Sequence, residues 1–213
     1  TRRSSDLVPK FSDLEVISLS LAAESIGIDS ESFLFSKLNE YKDDFSSLIS
    51  RRQYNDRRKL TIGLCNQVRE RIASKVDGGE AIFCIDSMPI EVCRPIRSKR
   101  CKMGKNNYDK APNYGYCASQ GKHYYGYKLH SLCGLSGVIH SFDLTKASVH
   151  DIHYLKDVKC NFQNCTIIGD RGYIGAAIQL DLFEKANIKL EVPYRSNQKD
   201  WKPVFSPFAK ARK

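Results

Sequence analysis

The sequence contains no apolar run long enough to span a bilayer. Its start, Thr1-Arg-Arg-Ser-Ser-Asp6, has no hydrophobic segment of the kind a secretion signal needs. These absences argue against a helical membrane protein and against export by a leader. It also lacks an initiator Met, so a fragment boundary or a processed N-terminus is expected. Eight cysteines are present but none forms a C-x-x-C pair, which weighs against both a zinc site and a disulfide scaffold. Cys65, Cys84 and Cys133 sit in apolar segments, where a thiol behaves as a small hydrophobe. Reduced thiols in a cytoplasmic protein are therefore expected.

The chain is 213 residues long and 41% hydrophobic, with a mean hydropathy of −0.43, which suits one ordinary domain plus a small appendage. The net charge of +10 is concentrated. Residues 51–75 hold eight basic residues against Asp56 and Glu70, and residues 94–110 hold seven against Asp109, a net of +6 in each block. The remainder is close to neutral. Such clustering is the electrostatic footprint of a polyanion binder, whereas a merely solubilising face mixes both signs.

Residues 1–77 are predicted to form a small helical module. Ser12 and Glu15 make a capping box, with Phe11 stapling to Val16 and an apolar stripe of Leu14, Ile17 and Leu21. A second helix is predicted from Asp29 or Ser30, carrying Phe33, Leu34 and Leu38. A third, from Arg51 to Lys75, stacks Leu60, Leu64, Val68 and Ile72 at a spacing of four. Two readings of this module stand side by side: a DNA-binding unit resembling helix-turn-helix, or a helical cap over a sheet.

From Ala81 the pattern changes to strands. Ala81-Ile-Phe-Cys-Ile-Asp86 reads as a short strand ending in an acid. Residues 88–120 follow as a long irregular basic insertion, with tyrosines interleaved among the cations and suited to phosphate contact and base stacking. A hairpin is predicted from His123–Cys133 and Val138–Leu144, turned by Gly134–Gly137. Helices over 148–159 and 174–186 alternate with strands at Cys165–Asp170 and Ile188–Val192. The result is an α/β fold with a mixed sheet, an antiparallel hairpin feeding parallel strands. Asp86 and Asp170 both end apolar strands, the usual scaffold of an oxygen-only Mg²⁺ site. Each is equally an N-cap candidate for the turn that follows it.

Four blocks, Cys84-Ile-Asp86-Ser87, Tyr125-Gly-Tyr-Lys128-Leu-His130, Ala147-Ser-Val-His150-Asp151 and Ile168-Gly-Asp170-Arg-Gly-Tyr173, occur in an order that resembles the DDE transposases of bacterial insertion sequences. The resemblance covers about residues 80–213 and implies a ribonuclease-H-like catalytic domain over 78–213. It implies an endonuclease that cuts DNA at element ends and joins them to target DNA, acting as a homodimer on DNA. Asp86 and Asp170 would be two members of a catalytic Asp-Asp-Glu set, holding two Mg²⁺ (or Mn²⁺) ions about 3.5–4 Å apart. The glutamate belongs to a later helix whose opening Phe208-Ala-Lys-Ala-Arg-Lys213 resembles. Glu184 follows Asp170 too closely, Glu191 alternates with Leu190 and Val192, and Asp200 sits in a polar segment, so a truncated chain without its third acid is expected.

Expected DNA contacts are Arg97, Lys99, Arg100 and Lys102 in the insertion, with Lys128 and Arg171 as phosphate contacts or plain surface cations. His150 is read as a helix-start or DNA-contact residue in preference to a metal ligand, and Tyr173 as a base-stacking or packing residue. Trp201 is either core or a contact to a flipped base. Two other functions remain open: a DNA-binding fragment without catalysis, and a ribonuclease-H-like nuclease without strand transfer.

Overall fold

The computed structural model describes residues 11–45, 47–194 and 203. Trp201, Asp200 and the 208–213 block lie outside the described residues. The chain divides into two compact units, residues 1–72 and 73–213.

In the first unit, α1 (Asp13–Ser25), α2 (Glu31–Glu40) and α3 (Arg51–Leu60) enclose Phe11, Val16, Ala23, Leu34, Phe35, Leu38 and Tyr54. The capping box at Ser12 and Glu15 is formed, and Phe11 and Val16 share the core, as the start signal required. The apolar stripe is shifted, however. Leu14 is exposed, and α1 buries Val16, Ile17, Ser20 and Ala23 instead. Ser20 is tolerated there because its hydroxyl meets the Tyr54 hydroxyl at 2.7 Å and donates to Val16 O at 2.9 Å.

The single helix expected over 51–75 is two, α3 and α4 (Ile62–Val76), parted at Thr61. The Thr61 hydroxyl donates to Arg57 O at 3.1 Å and to Arg58 O at 3.3 Å, competing with helix continuation. Leu60, Leu64 and Ile72 are exposed, not a buried stripe, because a spacing of four drifts around a helix of 3.6 residues per turn.

The second unit is built on a six-stranded mixed sheet. Its strands are β1 (Ile82–Cys93), β2 (Asn113–Cys117), β3 (Lys122–Gly134), β4 (Ile139–Lys146), β5 (Thr166–Ile168) and β6 (Lys189–Glu191). The path runs β2-β3-β1-β5-β6, with β4 also pairing β3. β1, β3 and β4 are mutually antiparallel through β3, while β5 and β6 run parallel to β1. This is the ribonuclease-H-like arrangement that the sequence resemblance implies. Residues paired across strands share a face, and Ile85 with Leu132 and Phe83 with Ile167 point to one side. There they pack with Leu155 and Val158 of α5 (Leu155–Asn161) and Leu182 and Ala186 of α6 (Ala176–Ala186).

Two expectations are corrected in this unit. β1 does not stop at Asp86 but continues to Cys93, paired with β3 throughout. β1 includes Pro89, but beyond Cys84 it has no partner on its β5 edge among the described residues, and a strand with one open edge tolerates the missing donor. Residues 88–120 are accordingly not one irregular insertion. They hold the rest of β1, 3₁₀ turns at Pro95–Arg100 and Tyr108–Lys110, and β2.

The loop before β1 is tied back by Asp77, whose Oδ2 lies 2.9 Å from His140 Nε2. The hydrogen bond to His140, then one with Glu80, holds the Asp77 carboxyl below the usual carboxylate range. A carboxyl lowered on folding stabilises the fold above its unfolded value, near 3.9, and loses that contribution as pH falls through the folded value. The denaturation midpoint is therefore expected to decline below about pH 4. Asp77→Asn should weaken that acid limb when urea midpoints are measured across pH.

Candidate active site

β1 and β5 bring the two candidate acids together through register. Cys84 pairs with Ile168 in the parallel ladder, and Asp86 and Asp170 each lie two residues further on. Asp170, past the end of β5, is still extended at φ −90° and ψ −175°. Side chains two residues apart on a strand point the same way, so the acids leave neighbouring strands at the same level and on the same side. β5 ends at Ile168, which leaves a gap beside β1. A cavity of about 340 Å³ fills it, lined by Asp86, Asp170, Asp151, Ser87, Lys128 and Tyr124 among others.

The cap expected of Asp170 is formed. Its Oδ1 accepts from Gly172 N at 2.8 Å, capping the 3₁₀ turn Arg171–Tyr173, while the same carboxylate lines the cavity. Asp86 is exposed and accepts from Ser87 N at 2.8 Å. Two carboxylates on one cavity fit a hard divalent cation that takes its other oxygens from substrate phosphate and water. Among the described residues no three His, Cys, Asp or Glu side chains converge closely enough to hold an ion. Glu184 is exposed on α6 and Glu191 pairs with Lys189, so neither joins the cavity.

The expected DNA contacts divide sharply. Arg97, Lys99 and Arg100 are exposed on the 3₁₀ turn after β1, with Lys102 exposed just beyond. Ser98 on that turn is buried and hydrogen-bonds the Tyr114 hydroxyl, which anchors the turn to β2 while its cations face out. Arg171 is exposed next to Asp170. Lys128 is not a free cation. Its ammonium lies 2.9 Å from Asp151 Oδ1 and donates to Val149 O at 2.9 Å. His150 caps the turn Asp151–Tyr154, its Nδ1 accepting from Ile152 N at 3.4 Å, the helix-start role.

Tyr173 is not available for stacking on a base, because it is fully buried in the core against the sheet. Its hydroxyl has no hydrogen-bond partner among the described residues. Burial raises its pKa well above the ordinary tyrosine value, reinforced by the charges of Asp151, Asp86 and Asp170. Asp151 is the cavity residue that sequence reasoning passed over. It is the acid of the Ala147–Asp151 block, and nothing in its local sequence sets it apart from a turn residue.

Residues 77–212 match the family described as the transposase DDE domain. This chain belongs to that family. No curated protein matches it. Among solved structures, it is similar to a Mos1 transposase paired-end complex with left transposon end, at 14% identity and a TM-score of 0.30, covering 89% of this chain. A Mos1 mariner paired end complex with Mn gives 11% identity and a TM-score of 0.28, with the same 89% coverage. The chain spans 61% of the length of each of those two chains.

Proposed function

We propose that this chain is the catalytic part of a DNA transposase that cuts DNA at the ends of an insertion sequence and joins them to target DNA. The observation that carries the reading is the register-matched pair Asp86 and Asp170 facing one cavity. These two carboxylates would hold the metal. Two bound Mg²⁺ or Mn²⁺ ions would supply charge stabilisation at the scissile phosphodiester and an activated hydroxyl nucleophile. The protein's own part is placement: Ser87 N and Gly172 N each fix one carboxylate oxygen, so the acids are oriented before DNA arrives. No Ser or Tyr nucleophile is required.

Arg97, Lys99, Arg100, Lys102 and Arg171 would take backbone phosphates along the way to the cavity, and residues 1–77 would supply further DNA contact. Pairing of two element ends calls for a homodimer on DNA. A second reading, a DNA-binding chain that does not cut, is favoured by the lack of a third converging acid among the described residues.

Incubation with a supercoiled plasmid tests the pair of readings. Nicking in Mg²⁺ or Mn²⁺ that EDTA abolishes supports catalysis, while DNA retention without nicking under every metal condition supports the second reading. In either case the basic surface predicts strongly salt-dependent binding. Affinity for a duplex should fall on the order of 10³-fold between 50 and 200 mM salt, if about six phosphates are neutralised. Fluorescence anisotropy across a salt series measures it, and a flat response would remove the electrostatic argument.

A further inference from the structure

We propose that Asp151 is a positioning residue that holds Asp86 and Asp170 in their shared geometry, acting with Lys128 and Ser87. The proposal rests on the assignment of the two aspartates to a metal site. Asp151 opens the 3₁₀ turn Asp151–Tyr154 beyond β4 and belongs to neither strand that carries the acids. Its Oδ1 nevertheless accepts from Ser87 Oγ of β1 at 3.0 Å and sits 2.9 Å from Lys128 Nζ of β3. Its other oxygen faces the turn after β5. A Cβ placed on Gly172 would lie 2.9 Å from Asp151 Oδ2 and 2.9 Å from Asp170 Oδ1. One carboxylate thus touches the residue next to Asp86, the strand beside it, and the turn that Asp170 caps. Those are the three segments whose relative placement determines where the two acids point.

The surroundings are richer in donors than Asp151 can use. His130 is fully buried, and its Nδ1, with no hydrogen-bond partner among the described residues, lies 4.0 Å from Asp151 Oδ1. The hydroxyls of Tyr124 and Tyr173 are also buried without partners among the described residues, and both phenols feel the Asp151 charge. Tyr124 also lines the cavity. Buried donors without acceptors are costly, so the arrangement around Asp151 is held against an energetic penalty.

Asp151 is not read as a third metal ligand, because its Oδ1 already meets an ammonium and a hydroxyl. The three aspartates also do not converge on one point. Nor is the pair with Lys128 explained as a stabilising device. A partly buried ion pair contributes little net stability, but it does specify one arrangement over others. Outer-shell partners of metal-binding carboxylates have that effect, and losing one typically costs 10–100-fold in metal affinity.

Binding of Mn²⁺ to the whole chain, followed by electron paramagnetic resonance alongside thermal melts, tests this. Asp151→Asn is expected to weaken Mn²⁺ binding by about 10–100-fold and to broaden the bound-ion signal while the melt stays near that of the parent. Lys128→Met should weaken binding in the same direction, whereas tighter binding on removing Lys128 would mean that Asp151 is a restrained direct ligand and would overturn the proposal. Should Asp151→Asn fail to fold, the double variant Lys128→Met/Asp151→Leu replaces the pair with apolar groups and is expected to fold. Parent-like Mn²⁺ affinity in either folded Asp151 variant overturns the positioning role. If Asp86→Ala and Asp170→Asn also bind Mn²⁺ like the parent, the metal-site assignment itself fails. If those two lose the ion and the Asp151 variants keep it, only the positioning role is lost.

Discussion

Asp86→Ala and Asp170→Asn are each expected to lower metal-dependent DNA nicking on the order of 10³-fold or more, the scale of removing a preorganised charge from a reacting centre. The choice of substitution matters at each site. Asp86 is exposed on β1 and accepts one backbone hydrogen bond from its neighbour, so truncation to Ala should alter stability little. Asp170 caps the 3₁₀ turn that leads into α6 through its bond from Gly172 N. Asn caps nearly as well as Asp, so Asp170→Asn keeps the cap and removes the charge. Full nicking by Asp170→Asn, with the parent active in the same assay, would reduce Asp170 to a capping residue and end the two-carboxylate mechanism. DNA affinity measured in parallel should stay at the parental level or rise slightly, because each variant removes a negative charge beside the phosphate path.

The largest stability effect is expected from Gly126→Ala. Gly126 lies on β3 opposite the irregularity in β1 between Glu91 and Cys93. A Cβ there would stand 2.0 Å from Ile90 O and 3.0 Å from Val92 N, both backbone atoms that cannot rotate away. β1 would have to move off β3, and these two strands form the most extensive pairing in the sheet. The cost is on the order of 3 kcal/mol, at the upper end of overpacking effects. For a chain of this size that corresponds to a melting temperature lower by roughly 6–12 °C. Gly172→Ala should behave differently. Its Cβ would meet only the ends of two carboxylate side chains, which can swing aside, so metal affinity should suffer more than the melt. Calorimetry on the two variants separates them, and equal melting losses would contradict the distinction.

Much of this could be read from local signals because the forces involved are local. The Ser12–Glu15 box with its Phe11–Val16 staple, the Ser30 cap, the β3–β4 hairpin and the strand delivering Asp170 each depend on residues a few positions apart. The errors arose where a distant partner decides. Pro89 reads as a strand breaker, but it is tolerated because β5 is too short to pair with that part of β1. Lys128 reads as a phosphate contact or a plain surface cation, but a turn 23 residues later brings Asp151 against it. Tyr173 follows Asp170-Arg171-Gly172 yet points into the core, because the 3₁₀ turn rotates it under the sheet.

The sequence by itself determined that two apolar strands would each present an acid, that positive charge would gather outside the sheet, and which family the chain joins. Periodicity, composition and motif order carry that information without any knowledge of contacts. Only the tertiary structure decided that Asp86 and Asp170 stand level, because parallel pairing of Cys84 with Ile168 is a long-range choice of register. It alone decided, too, that Asp151 would join Ser87, Lys128 and the Gly172 turn. A carboxylate finds its donors through space, and those donors arrive from three segments that the chain order keeps far apart.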